Sequence, residues 1–419
     1  MFMSITAAIL SIGTELTSGL TVDTNSAHIS TRLAELGIVT LRHVTVGDHV
    51  DDIAAAIAAE SVGADVLVIS GGLGPTEDDL TRQALAGVLG VELVLDEKVL
   101  EELTLFFERR GWSMNPTNRV QALRPAGTET LANPVGTAPG IYARVGKAEV
   151  FVVPGVPSEM RTLIDLHVLP RLAGKAGSAC LVFRTVHTFG AGESAVGAEI
   201  RDLMHRSANP LVGTTVADGV VSIRVRAAAV AKDQAEKLAD QRVEEIRRRL
   251  GKLVYGVDEE TLPAVLGQLL RQRAATLSIA ESCTGGWLGK LLTEPSGASD
   301  YFLGGLICYD NRVKRDFADV DEAMIAAHGA VSEQVAGAMA QNTRRRFGTT
   351  YALSITGIAG PTGGSGDKPV GLVYTALDGP TGLRLQRNQL PGPRDRVRLR
   401  SALMAMNMLR LELEDSTRK

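Results

Sequence analysis

Ser282 is the residue of this chain best placed for nucleophilic chemistry. It follows the apolar run Ala275 to Ala280, expected to be a strand, and precedes the helical pattern Trp287 to Leu292. The intervening Glu281-Ser-Cys-Thr-Gly-Gly286 reads as a strand-to-helix turn. Gly285 and Gly286 allow close backbone approach, and N–H groups around Thr284, Gly285 and Gly286 are candidates to receive an oxyanion. A serine hydroxyl is a weak nucleophile and needs a base. No histidine lies at an equivalent strand end, but the next apolar run, in Gly305 to Lys314, delivers Tyr309 and Lys314. Lysine replaces histidine as the base in some serine hydrolases. The competing account is a helix-capping serine and a solvated surface lysine. Cys283 is a rival nucleophile, because thiolates are more reactive. It has no histidine partner, which favours Ser282, with Cys283 packed under the turn as a small hydrophobe.

Two glycine-rich turns add candidate phosphate sites. In Ser354 to Gly364 a strand runs into Thr356, Gly357, Ala359 and Gly360, with Lys368 just beyond. A nucleophile beside such a turn implies a phosphorylated amide or ester substrate. The second turn, Gly71 to Thr81, carries Gly71, Gly72, Gly74, Thr76, Asp78, Asp79 and Thr81 between a strand and a helix. Glycines there let several N–H groups converge on one anion, and the helix start adds a favourable dipole. The alternative is an ordinary turn whose two aspartates complement that dipole. Three further turns follow strand-like runs and would share its rim: Gly13 to Glu15, Gly47-Asp48, and Pro154-Gly155 through Glu159.

The elements that must carry these turns repeat in a β-α-β order. From Thr6 to Leu172, β-branched apolar runs alternate with helical patterns, which implies an α/β domain with a largely parallel sheet and ligands at the carboxyl ends of its strands. A smaller unit follows: a strand from Leu181 to Thr188, a helix from Glu193 to His205, two strands joined at Asp218-Gly219, and an amphipathic helix from Lys232 to Leu250. The order resembles a KH-type α+β module, but no basic Gly-x-x-Gly loop is present to clamp nucleic acid. A spacer or dimerisation role is the simpler expectation. A third α/β unit opens with a helix from Leu262 to Arg273 and closes with one from Arg394 to Leu413. The expected domains are residues 1–175, 176–255 and 259–419.

Composition narrows the function classes. A chain of 419 residues exceeds one ordinary core. A net charge of −4 with 4% aromatics gives neither a basic groove nor stacking platforms, so direct nucleic-acid binding is not expected. No apolar tract is long enough for a bilayer span, and no secretory leader pattern is present, so a cytoplasmic location is expected. Three cysteines without a Cys-x-x-Cys pair argue against disulfide scaffolding and structural zinc. The seven histidines lack the spacing of a metal site.

Taken together, Gly13 to Leu16, Asp23 to Asn25, Gly71 to Thr81, Asn133 to Gly140 and Pro154 to Met160 resemble the competence/damage-inducible protein A family over essentially the whole chain. Where the family more usually has Gln, this chain has Leu20. The N-terminal domain is similar to molybdopterin-binding domains, and the resemblance implies metal-dependent ADP-ribose pyrophosphatase activity. Glu15, Asn25, Pro154, Gly155 and Glu159 are carried over as nucleotide-binding positions. Asp48 and Asp79 suit a divalent ion such as Mg²⁺, and K⁺ is a further candidate ion. The C-terminal motifs Ala280 to Gly286, Tyr309 with Lys314, Gly329 to Glu333 and Thr356 to Pro361 resemble nicotinamide mononucleotide deamidase, which implies conversion to the nicotinate form without a cofactor. Arg394 matches a family Gly-Asp-Arg element in which Pro393 replaces the acid. A homodimer is expected. The alternatives are a pterin-type ligand binder and a protein-interaction factor in DNA uptake or repair.

Overall fold

The computed structural model describes residues 5–173, 175 and 180–415. The chain divides into two compact units, Met1–Val182 with Ala227–Leu238, and Phe183–Arg226 with Ala239–Lys419.

In the first, strands β1 (Thr6–Ile12), β2 (Val39–Val46) and β3 (Val66–Ser70) precede a two-stranded ribbon of β4 (Leu93–Leu95) and β5 (Leu123–Pro125), and are followed by β6 (Glu129–Leu131), β7 (Gly140–Val145) and β8 (Ala148–Val153). The main sheet has the order β2-β1-β3-β8-β7-β6. Its first four strands are parallel, but β7 and β6 pair antiparallel. The sheet is therefore largely parallel, as expected, with β7 running against the other strands near one edge. The short Gly146-Lys147 turn between β7 and β8 leaves no room for the crossover that a parallel pair requires.

Alternation along the strands builds a core on each face. Ala8, Leu10, Leu67, Ile69, Val150 and Val152 pack against Ile53, Ile57 and Leu85 of helices Val50–Gly63 and Thr81–Leu89. Ile9, Val66, Val68, Phe151 and Val153 pack on the other face against Ile29, Leu33, Met160 and Leu163. With both faces covered, chemistry is left to the strand ends.

The KH-like segment contributes β9 (Cys180–Phe189), β10 (Leu211–Ala217), β11 (Val220–Ala229) and β12 (Val254–Val257), in the order β10-β11-β9-β12. The hairpin turn at Asp218-Gly219 forms as expected, with both residues at positive φ. The helix expected from Glu193 to His205 instead breaks. An α-helix ends at Glu199 and a 3-10 turn covers Arg201–Met204, because fully buried Ile200 leaves helical geometry at φ −118°.

The C-terminal sheet runs β14 (Phe302–Ile307), β13 (Leu277–Glu281), β15 (Tyr351–Gly357), β16 (Leu372–Gly379), β17 (Gly382–Gln389). The first three strands are parallel and the last two antiparallel. Leu277, Ile279, Leu353 and Ile355 face a core shared with helices Leu262–Gln272 and Arg394–Asp415. On the other face Ala280 and Cys308 meet Val335 and Met339 of helix Glu333–Phe347.

Candidate functional site

The carboxyl ends of β1, β2, β3 and β8 open on a cavity of about 380 Å³. It gathers Glu15, Asp48, Gly71, Gly72, Gly74, Thr76, Asp78, Asp79, Pro154, Gly155 and Glu159, with Gln121, Thr137 and Ala138. Gly71 has φ 113° and sits so close to the Ile12 carbonyl that any side chain would collide with it, which is why the turn needs glycine.

Asp79 neither heads the helix nor stands free. Its carboxylate accepts from Gly74 N at 2.6 Å, Thr76 N at 2.9 Å and Thr76 Oγ1 at 2.5 Å, stapling the loop. Asp48 accepts from Thr14 N at 2.7 Å. Glu159 accepts from Asn133 Nδ2 at 2.6 Å and so positions the loop after β6. Two expected ligand residues lie outside the cavity. Thr81 is buried and donates its hydroxyl to the Gly71 carbonyl at 2.9 Å, a role in shaping the turn. Asn25 lines a smaller neighbouring pocket and donates to Ser70 Oγ at 3.0 Å and Gly155 O at 2.8 Å. Leu20, on the surface, is 83% exposed.

Arg82, which the sequence reading missed, lies 3% exposed under the loop and donates to Leu73 O and Gly74 O. Burial brings its pKa down to about 10, and the guanidinium remains charged at neutral pH. The cavity wall itself carries five carboxylates, Glu15, Asp48, Asp78, Asp79 and Glu159, and no lysine or arginine. A phosphate entering alone meets repulsion. Among the described residues no group of three or more His, Cys, Asp or Glu is disposed to hold a metal ion. Asp48 and Asp79 both line this cavity.

In the C-terminal unit Ser282 follows β13 directly, anchored by Ser282 N donating to Ile355 O at 2.9 Å. It is 7% exposed, and its hydroxyl has no hydrogen-bond partner among the described residues. The helix Trp287–Thr293 is not capped by Ser282. Glu281, another residue that the sequence reading passed over, takes that role: its carboxylate accepts from Gly286 N at 3.1 Å, Leu288 N at 3.0 Å and Gly289 N at 2.8 Å. Gly285 N donates to Ser282 O at 3.1 Å. The amides of both glycines expected at the oxyanion are thus committed, while those of Cys283 and Thr284 have no partner among the described residues. The Thr284 hydroxyl is also buried and unpartnered among them.

Lys314 is 2% exposed and hence no solvated surface cation. Burial lowers its pKa from the ordinary lysine value. Its Nζ donates to Tyr309 O at 3.3 Å and Asn311 Oδ1 at 3.5 Å. Burial pushes the Cys283 thiol up to about 12 and the Cys308 thiol to about 11, so both are protonated at neutral pH. The charges of Lys314 and Arg394 act on Cys283 in the opposite sense. The Cys308 N–H donates to Glu281 O at 2.6 Å, joining the ends of β13 and the segment leaving β14.

Tyr309 is 59% exposed, and its hydroxyl accepts from Arg394 Nη2 at 2.8 Å. Arg394 Nη1 donates to Gly360 O at 2.7 Å. One turn along the same helix, Arg398 donates to Thr284 O at 3.2 and 2.8 Å and lies over the Trp287 ring at 5.0 Å. Four-residue spacing from Arg394 was the available signal for Arg398. Two arginines thus brace the loops at 284, 309 and 360. Thr356 donates to Ala330 O at 2.8 Å, Ala359 is core, Gly357 packs tightly against β16, and Gly360 takes φ 81°. Lys368 donates to His328 O at 2.6 Å.

No helix among the described residues is long and apolar enough to cross a membrane. The family models "Probable molybdopterin binding domain", "Damage-inducible protein CinA KH domain" and "CinA C-terminal domain" match residues 8–174, 183–256 and 259–413. The chain is 41% identical over 411 residues to a "CinA-like protein" of Geotalea uraniireducens, covering 97% of each chain. It is 40% identical over 402 residues to a "CinA-like protein" of Dictyoglomus thermophilum, covering 96% of this chain and 98% of that one. The solved "competence/damage inducible protein CihA from Agrobacterium tumefaciens" is 34% identical, covering 37% of this chain and 97% of its own, with a TM-score of 0.35. The chain belongs to the CinA-like family of competence/damage-inducible proteins.

Proposed function

We propose that the C-terminal unit deamidates nicotinamide mononucleotide to nicotinate mononucleotide and ammonia, and that the N-terminal unit hydrolyses ADP-ribose to AMP and ribose 5-phosphate with a divalent ion. The observation that carries the first activity is a buried lysine with a depressed pKa, Lys314, in the neighbourhood of a serine turn whose thiol is protonated. Burial favours the neutral amine that a base requires. In the reaction, Ser282 Oγ attacks the carboxamide carbon as its proton moves to Lys314 Nζ. The amides left to receive the oxyanion are those of Cys283 and Thr284. Collapse returns the proton to the leaving nitrogen and expels ammonia, and water then hydrolyses the acyl-serine ester to the carboxylate, restoring Ser282. Arg394, braced by Tyr309 and Gly360, suits the substrate phosphate.

For the N-terminal unit, the five-carboxylate wall over a buried arginine supports a pyrophosphate substrate that arrives with its cation. Asp48 and Asp79 would share that ion, whose chemistry is to neutralise phosphate charge and activate water. The match to the molybdopterin-binding model favours a second reading for this unit, a pterin-phosphate binder.

The test incubates the full chain with nicotinamide mononucleotide, ADP-ribose and a pterin phosphate, each with and without Mg²⁺. Ammonia release from the first without Mg²⁺, and Mg²⁺-dependent AMP from the second, are expected. Neither product from an intact, folded chain overturns the proposal, and pterin binding without AMP supports the second reading.

A further inference from the structure

A cavity of about 630 Å³, sharing no lining residue with either site, is formed wholly within the unit Phe183–Arg226 with Ala239–Lys419. One wall is the helix Arg394–Asp415, and the opposite wall is the end of β9 and the β10–β11 hairpin. The helix divides its arginines between two faces. Arg394 and Arg398 brace the reaction loops, whereas Arg396 and Arg400, also four residues apart, line this cavity.

Arg400 is half-buried and makes no hydrogen bond or ion pair with any described residue, although it packs against the Asp218-Gly219 turn. Arg396 has only a loose pair, 3.9 Å from Asp218, which is beyond hydrogen-bond length. A half-buried guanidinium left without an acceptor is unfavourable, and an anion with several oxygens relieves it bidentately. Beside this cation pair Phe189, Leu390 and Met404 give an apolar surface with an aromatic ring, and Met404 sulfur suits a flat ring. Glu193 and Asp218 add acceptors, which suit sugar hydroxyls. The volume falls within the range of small-ligand sites.

We propose that this cavity is a third ligand site, taking a mononucleotide with its phosphate on Arg396 and Arg400 and its base against Phe189 and Met404. The site does not depend on the activities assigned to the other two.

The test is photolabelling of the full chain with 2-azidoadenosine 5′-monophosphate followed by peptide mapping. Label is expected on peptides containing Phe189 or Met404, where the base is placed. Unlabelled AMP should compete at least about tenfold better than adenosine, since the charged hydrogen bonds lie at the phosphate. Arg400→Ala should lower this labelling by about tenfold or more. Val216→Glu serves as a second variant, because Val216 is half-exposed at the cavity and tolerates a polar side chain without loss of core. It places a negative charge near the phosphate and should likewise abolish labelling. Label confined to the 71–81 or 282–286 loops, equal competition by adenosine, or labelling undiminished in both variants overturns the proposal.

Discussion

Arg394 donates to the hydroxyl of Tyr309 at 2.8 Å, so the phenol is tied to the arginine, while Lys314 reaches only the main-chain carbonyl of Tyr309. In the proposed reaction Tyr309 is then expected to position the arginine instead of tuning the lysine. Tyr309→Phe should raise KM for nicotinamide mononucleotide by roughly tenfold, the worth of one charged hydrogen bond, and leave the pH profile of kcat unmoved. A displaced pH profile would return Tyr309 to the proton path.

As the proposed base, Lys314 should set the pH dependence. Its native pKa is lowered by burial, so the neutral amine, and with it kcat, should grow as pH rises through that native value. Stability follows the same direction. Between the native and unfolded pKa values the unfolded chain binds more protons, so stability rises with pH there, and below that window the buried charge is a full cost. Lys314→Met should therefore flatten the curve of stability against pH and raise stability near neutrality, while activity falls by about a hundredfold or more. Denaturant melts of both proteins from pH 6 to 10 would check this.

Ser282→Ala should reduce deamidation about a thousandfold or more, and adding Lys314→Met should cost little further, because the two act as one unit. Cys283→Ala should retain most turnover, since a thiol with a pKa near 12 holds almost no thiolate at neutral pH. Acyl-enzyme trapping and steady-state rates of the three variants would decide between sulfur and oxygen.

Asp79 and Asp48 should part company in the N-terminal site. Asp79→Ala removes three hydrogen bonds that fold the Gly74–Thr76 loop, so both ligand binding and AMP formation should be lost. Asp48→Asn keeps an acceptor for Thr14 N and should weaken Mg²⁺ dependence with ADP-ribose affinity less affected. Deamidation should be unchanged in both. Calorimetry with ADP-ribose, with and without Mg²⁺, separates the cases.

A fragment beginning at Glu259 retains all five strands of the C-terminal sheet but removes two of the acceptors of a buried arginine, which keeps Glu414 and Asn407. Fully buried Arg410 donates to Lys252 O at 2.6 Å and Val254 O at 3.3 Å, and both carbonyls are lost in that fragment. Against a fragment from Lys252, it should be destabilised by about 1.5–3 kcal/mol. Arg410→Met should narrow the gap, read as the difference in Tm.

The strand ends and their turns were legible because apolar runs and glycine clusters announce them locally. The deamidase-like trio and most of the N-terminal cavity residues could be named this way. What each carboxylate does was not legible. Asp79 folds back on residues three and five positions earlier, and Glu281 reaches forward to residues five, seven and eight positions later. Both are local in sequence, but they are decided by turn conformation rather than residue type. Arg82 resembled any helical arginine until its burial beneath Leu73 and Gly74 was seen. The antiparallel strands beside each parallel set were not legible in detail, because short strands joined by tight turns give no helical pattern to mark them.

The helix Arg394–Asp415 follows every strand of its sheet in chain order, yet it supplies both arginines that brace the 284, 309 and 360 loops. On a ribosome, the N-terminal unit can close its sheet long before this helix emerges, since domains fold as units during synthesis. Ser282, the proposed nucleophile, is synthesised more than a hundred residues before Arg394 and Arg398. Until the helix Arg394–Asp415 has left the exit tunnel, the nascent protein carries the Ser282 turn without the arginines that brace it, and the proposed activity should arrive as one late event.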